Sequence, residues 1–264
     1  MLQQFVVNAF ENGPFTGNPA AVVPLEKPAD ADWMQSVAAQ NNLSETAFVW
    51  HGDSPVQLRW FTPTQEIMLC GHATLATAHV LFEEVGVRDD KLSFMTRSGQ
   101  LGVRRSAERL ELDLPAAGAR GDAPDEDAQT IVRALGVEQA EVHEVGGNPF
   151  VLLETAAQVR ELAPDLSLLY DVWGEHVVVS APGDDGFDVV CRVFAPKVGI
   201  AEDPATGAAH CAVAPFWCER LGTDEVVSLQ ASARGGYFDC RWDGGDRVHL
   251  SGRCSTFLRG QLGQ

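Results

Sequence analysis

The chain has 264 residues, 45% hydrophobic and 21% charged, enough for two domains of ordinary size or one large domain with a sizeable core. Lys and Arg total 19 against 37 Asp and Glu, and the resulting charge of −18 repels phosphate backbones and anionic membrane surfaces, which argues against nucleic acid and membrane as partners. A small anionic metabolite can still enter a locally positive pocket.

The opening MLQQFVVNAF lacks a basic segment followed by an apolar one, and no apolar run approaches the length of a membrane span. The six cysteines, Cys70, Cys191, Cys211, Cys218, Cys240 and Cys254, show no C-x-x-C spacing and read as reduced thiols of a cytoplasmic protein.

Gln4 to Ala9 and Ala20 to Leu25 read as strands joined by the turn-rich Glu11 to Pro19. Asp30 caps a helix through about Gln40. Glu45 to Trp50 and Val56 to Phe61 form a hairpin across HGDSP. The Ala- and Leu-rich Gly71 to Val85 carries the apolar spacing of a buried helix and stops at Gly86. Strands follow at Leu92 to Thr96, Leu101 to Arg105 and Arg109 to Leu114. PAAGARGDAPDE, from Pro115, reads as an interdomain linker. Beyond it the spacing predicts a helix at Asp127 to Leu135, strands at Glu141 to Val145, Phe150 to Glu154, His176 to Ser180 and Phe187 to Phe194, and a helix from Gly207 to Leu221. Three more strands are expected near Val226 to Ala231, Tyr237 to Trp242 and Arg247 to Leu250.

The two halves can be laid on each other. Phe61 to Gly86 aligns with Phe194 to Gly222, with three extra residues before the second helix. Gly71 then falls on Gly207, Ala73 on Ala209, Ala76 on Ala212, Gly86 on Gly222 and Gly99 on Gly235. Shared composition of two Ala-rich helices explains part of this; the common order of F-x-P, strand end, Gly-x-Ala helix start and strand pair favours duplication. The expected architecture is α+β, two pseudo-symmetric domains at 1–117 and 118–264, each wrapping strands around a central helix.

Each repeat places a glycine turn at a helix start, where free N–H groups and the helix dipole suit a carboxylate or a developing enolate. Two such starts facing one cleft suggest proton transfer beside a carboxylate. Neither G-x-G-x-x-G nor a P-loop occurs, so no nucleotide is expected.

Three segments in order, FENGPFTGNPAAVV, NNLSETAFV and the pair LCGHATLA and EDPATGAAH, resemble the PhzF-like family, named for a phenazine-biosynthesis isomerase. The likeness runs from the first strand to the C-terminus. It implies a diaminopimelate-epimerase-like fold with a mixed sheet or barrel around a central helix in each domain. It also implies no organic cofactor or metal, a homodimer, and acid–base isomerisation of a small carboxylate-bearing metabolite. Matched position by position, Glu45 is the catalytic carboxylate of N-x-S-E-T, preceded by Ser44. His72 and Asp203 are the other polar positions of the cleft. Gly71 and Gly207 are the turns that hold the substrate carboxylate. Ala208 stands where the family often has Ser, so the reaction type carries over but the substrate does not.

Each candidate has a plainer reading. Glu45 alone could be a solvated carboxylate, Asp203 an ordinary turn residue of EDPATG, and His72 a helix-end residue, kept neutral by the dipole. Asn18 of TGNPAAV orders a loop or touches substrate. Cys70 aligns with Thr206, so a two-cysteine mechanism lacks its second thiol; a buried small hydrophobe is the simpler reading of Cys70. His79 and His210 have no spacing partner, and His51 and Asp53 lie in a turn, so no metal site is expected. A Cys70-dependent racemase or dehydratase, and a non-catalytic metabolite- or protein-binding role, are the competing functions.

Overall fold

The computed structural model describes residues 2–50, 55–118 and 120–263. His51 and Asp53, in the turn expected at HGDSP, lie outside them. Two units emerge: Met1–Leu114 with His249–Gln264, and Pro115–Val248.

In the first unit, β1 (Leu2–Glu11) and β2 (Asn18–Leu25) are followed by α1 (Ala31–Asn41), whose cap Asp30 accepts from the N–H groups of Asp32 and Trp33 as its sequence requires. Then come β3 (Glu45–Trp50), β4 (Val56–Phe61), the two-residue β5 (Glu66–Ile67) and α2 (Gly71–His79). α2 runs on through a π turn at Val80–Glu84 before β6 (Lys91–Thr96), β7 (Gly99–Ser106) and β8 (Arg109–Pro115).

The second unit holds β9 (Gly121–Asp122), α3 (Asp125–Leu135), β10 (Glu141–Val145), β11 (Asn148–Leu152), α4 (Ala156–Glu161), α5 (Leu166–Asp171), β12 (Val177–Pro182) and β13 (Val189–Phe194). α6 (Gly207–Leu221), β14 (Glu225–Gln230) and β15 (Gly236–Arg241) complete it. The last strand, β16 (Arg247–Leu262), begins in the second unit and ends in the first.

In the first unit the strand order β1-β2-β3-β4-β6-β7-β8-β16 closes, because β16 pairs antiparallel with β1 from Leu262 opposite Leu2 to Arg253 opposite Glu11. The result is an eight-strand barrel with more strands beyond it. Closure explains why the division at 117/118 read from the sequence differs from the observed one: the segment after Val248 belongs with β1. The sequence announces only Arg247 to Leu250 as a strand, since SGRCSTFLRGQL breaks apolar alternation; the ladder to β1 holds the rest extended. A closed barrel leaves this unit no edge strand among its eight.

α2 is buried on every side from Gly71 to Ala78, the signature of a helix with no solvent face. Its hydroxyls turn inward, Thr74 to the Cys70 carbonyl at 2.5 Å and Thr77 to that of Ala73 at 2.7 Å. α6 is mostly buried between Ala209 and Cys218, with Trp217 Nε1 donating to Ser180 Oγ at 2.8 Å.

The ladders repeat in the same sense in both units. β1–β2, β3–β4 and β6–β7 are antiparallel while β2–β3 and β4–β6 are parallel. β10–β11, β12–β13 and β14–β15 are antiparallel while β11–β12 and β13–β14 are parallel. The aligned glycines share left-handed backbone: Gly86 and Gly222 at φ +83° and +67°, Gly99 and Gly235 at +99° and +75°.

Three details correct the expectations. The linker contains β9, paired with β10, and α3 already starts at Asp125. α4 and α5 carry no periodic signal in the sequence, because six residues make fewer than two turns. A T-x-x-Q capping box at Thr155 and Gln158 is the local signal that was there to read. Among the described residues no helix is long and apolar enough to cross a membrane.

Candidate active site

Two neighbouring parallel strands begin at the site. Asn18 opens β2 and Glu45 opens β3, where Ala20 pairs with Glu45. The entry to β2 depends on Gly17, which sits at φ +75° with no room for a side chain: a Cβ there would lie 2.5 Å from the Ala9 carbonyl oxygen. Cys70 is the extended N-cap of α2, with Gly71 and His72 its first residues.

These elements bring Asn18, Ser44, Glu45, Cys70 and His72 together. His72 Nε2 lies 3.0 Å from Glu45 Oε2. On its other side, Nδ1 is 3.3 Å from Asn18 Nδ2 and 3.5 Å from Cys70 Sγ. The Ser44 hydroxyl donates to Asn18 Oδ1 at 3.5 Å. Glu45, Cys70 and His72 are 7%, 5% and 4% exposed, and Asn18 is fully buried. Although Glu45 Oε2 and His72 Nε2 are close, neither has an aligned hydrogen-bond partner among the described residues.

Burial works against a charged imidazole here, but the Cys70 sulfur and the Glu45 carboxylate outweigh it and hold His72 well above its ordinary value. This direction is opposite to the one the helix dipole alone gives His72, because a carboxylate at 3.0 Å outweighs the end of a helix. Burial pushes the Cys70 thiol up, the charge of Glu45 adds to this, and His72 opposes it.

In the second unit, Asp203 is buried and accepts from the Thr206 hydroxyl at 2.5 Å. Gln230 of β14, also buried, completes the arrangement. Its Oε1 accepts from the Thr206 N–H at 2.8 Å, and its Nε2 donates to the Asp203 carbonyl at 2.6 Å and to the Thr206 hydroxyl at 3.0 Å. Thr206 is the N-cap of α6, Gly207 is buried at the helix start, and Ala208 is exposed. The sequence does not mark Gln230, since a lone Gln in a strand carries no local signal.

Both helix starts share one property: neither Cys70 nor Thr206 gives a side-chain cap to the N–H groups that follow. The carboxylate is not duplicated. Val177 pairs with Phe194 as Thr46 pairs with Phe61, so His176 stands where Glu45 does. Burial pushes His176 down to about 4.

His210 is a core residue. Its Nδ1–H donates to the Thr206 carbonyl at 2.9 Å, Nε2 accepts from the Ser228 hydroxyl at 3.0 Å, and the ring stacks on Phe238 at 3.6 Å. Burial holds it near 4. His79 binds Thr256 Oγ1 at 3.0 Å.

Residues 7–260 match the family model described as phenazine biosynthesis-like protein. The chain belongs to the PhzF-like family. A Pseudomonas aeruginosa relative of this PhzF-like chain, bearing the name of an uncharacterized isomerase, is 42% identical over 98% of the chain and 97% of its own length. The crystal structure of a PhzF-family protein from Enterococcus faecalis superposes with a TM-score of 0.93 at 39% identity, covering 100% of this chain and 99% of that one. A probable proline racemase from Agrobacterium radiobacter shares the fold, with a TM-score of 0.66 at 13% identity, covering 100% and 93% of the two chains. Full-length relatives at about this identity carry the isomerase name, and this PhzF-like chain is assigned to that class of enzyme.

Proposed function

We propose that this PhzF-like protein catalyses a cofactor-independent hydrogen shift on a small carboxylate-bearing metabolite, with Glu45 taking up and returning the proton. The observation that carries this is the buried pair of Glu45 Oε2 and His72 Nε2 at 3.0 Å, beside the uncapped start of α2. An ionised carboxylate kept out of water is a competent base, and an adjacent imidazole carrying a proton stabilises it and can exchange protons with it. The backbone N–H groups at Gly71 suit the substrate carboxylate, or the enolate that forms when its neighbouring carbon loses a proton.

The two units read as copies of one ancestral repeat, supported by their common ladder order and the shared φ of their aligned glycines. On that reading the start of α6 at Gly207 and Ala208 is the second unit's own anion anchor. Asp203, held by Thr206 and Gln230, is the polar group beside that helix start. Ser44 and Asn18 hold His72 or meet substrate. Six unpaired thiols, five of them buried, support a reducing compartment, and we place the enzyme in the cytoplasm as a homodimer.

The test is proton NMR in D₂O with a panel of small amino, hydroxy and unsaturated carboxylic acids, using wild type and Glu45→Gln. Deuterium uptake or positional change in wild type, absent in the variant, supports the reading. Unchanged turnover in the variant removes Glu45 from the role.

One observation favours a second reading. Cys70 Sγ lies 3.5 Å from His72 Nδ1, as a thiol that exchanges protons through the imidazole would. A racemase or dehydratase using Cys70 would be inactivated by alkylation of Cys70, with substrate protecting.

A further inference from the structure

We infer that Glu45, Cys70 and His72 form a binding site for a single zinc ion, and that filling it switches proton transfer off. One ligand atom from each of the three side chains lies within 4.8 Å of the others, and all three residues are buried. Thiolate, imidazole and carboxylate are the donors zinc takes, at about 2.0–2.3 Å, which sets ligand atoms of a tetrahedral site roughly 3.3–3.6 Å apart. The Cys70 Sγ to His72 Nδ1 distance of 3.5 Å already has that value. Glu45 approaches the opposite edge of the ring, so its carboxylate must swing toward the sulfur, a side-chain rotation.

The orphaned carboxylate oxygen points the same way. Glu45 Oε2 is buried without an aligned hydrogen-bond partner among the described residues, and a cation gives that oxygen the partner the protein does not. Charge agrees: a carboxylate and a thiolate balance a divalent ion, where the two anions alone would repel each other in a dry site. Three protein ligands leave a fourth position for water or a substrate carboxylate. Binding releases the Cys70 thiol proton to solvent, and the second His72 proton when the ring is charged; nothing is oxidised or reduced.

The sequence hid this set because Cys70-x-His72 is too close for the usual spacings and Glu45 comes from a different element. Zinc here is an inhibitor, since it takes the lone pair that Glu45 needs as a base. The switching half of the inference rests on the function proposed above; the binding half does not.

The experiment titrates the chelator-treated full chain with Co²⁺ and Zn²⁺. One equivalent is expected, and the cobalt complex shows a thiolate-to-metal charge-transfer band. Cys70→Ser loses the band; Cys254→Ser, which alters the one incompletely buried thiol, keeps it. Glu45→Gln keeps the band but weakens binding by more than the roughly 10- to 100-fold typical of losing an outer-shell partner, so the test survives misfolding of Cys70→Ser. Zinc stops deuterium exchange and EDTA restores it. Absence of stoichiometric binding, or a band unchanged in Cys70→Ser, overturns the site. Zinc bound with exchange intact overturns the switch, whereas a zinc-free wild type without exchange on any ligand that binds counts against the proposed function and leaves the site standing.

Discussion

Glu45 Oε2 and His72 Nε2 meet at 3.0 Å although one residue opens a strand and the other a helix. Replacing the carboxylate by an amide keeps the shape and removes the base. Glu45→Gln is expected to lower solvent exchange by about 10²–10⁴-fold, the usual contribution of general acid–base catalysis, while still melting cooperatively as a folded protein. NMR exchange rates and a melting curve on the same sample check it.

The raised pKa of His72 has a consequence for stability. A group whose folded value exceeds its unfolded one contributes fully below the unfolded value, 6.5, and loses that contribution as pH climbs through the folded value. Wild type should therefore lose stability relative to His72→Gln as pH rises above 6.5. Urea midpoints of the two proteins across that window report it; parallel curves would remove the ion pair from the account.

His210 works in the opposite sense. With a folded value of about 4 against 6.5, the unfolded chain binds the extra proton first, so stability falls as pH drops from 6.5 toward 4. The full loss is about 3 kcal/mol at roughly 1.4 kcal/mol per unit. His210→Gln should flatten this part of the urea-midpoint profile while lowering stability at neutral pH, because the Phe238 stack goes.

Gln230→Leu strips the amide oxygen and nitrogen that hold the turn carrying Asp203 and Thr206. Leaving buried donors and acceptors unpaired costs about 1–3 kcal/mol, so the melting temperature should fall. If Asp203 takes part in the reaction, kcat falls as well; a variant that is less stable yet fully active would confine Gln230 to the fold.

Gly17→Ala should destabilise by at least about 1 kcal/mol, since φ +75° is strained for alanine and its Cβ would strike the Ala9 carbonyl. The movement falls on Asn18, the next residue, so exchange activity should drop with stability. Full activity after this change would show that Asn18 needs no fixed position.

Much of the local architecture is legible in the amino-acid order alone. Asp30 announces α1 and Gly71 and Gly207 announce two buried helices, because caps and small-residue helix faces are decided by neighbours a few positions away. The recurring order of motifs in the two halves is also legible, since it is written in order and spacing. What only the tertiary structure decided are relations between residues distant in the chain. The return of β16 to β1, the clamp of Gln230 on Thr206, and the upward shift of His72 beside Glu45 have no local signature, because a pairing ladder, a hydrogen bond and an electrostatic shift each belong to two partners that the fold must first bring together.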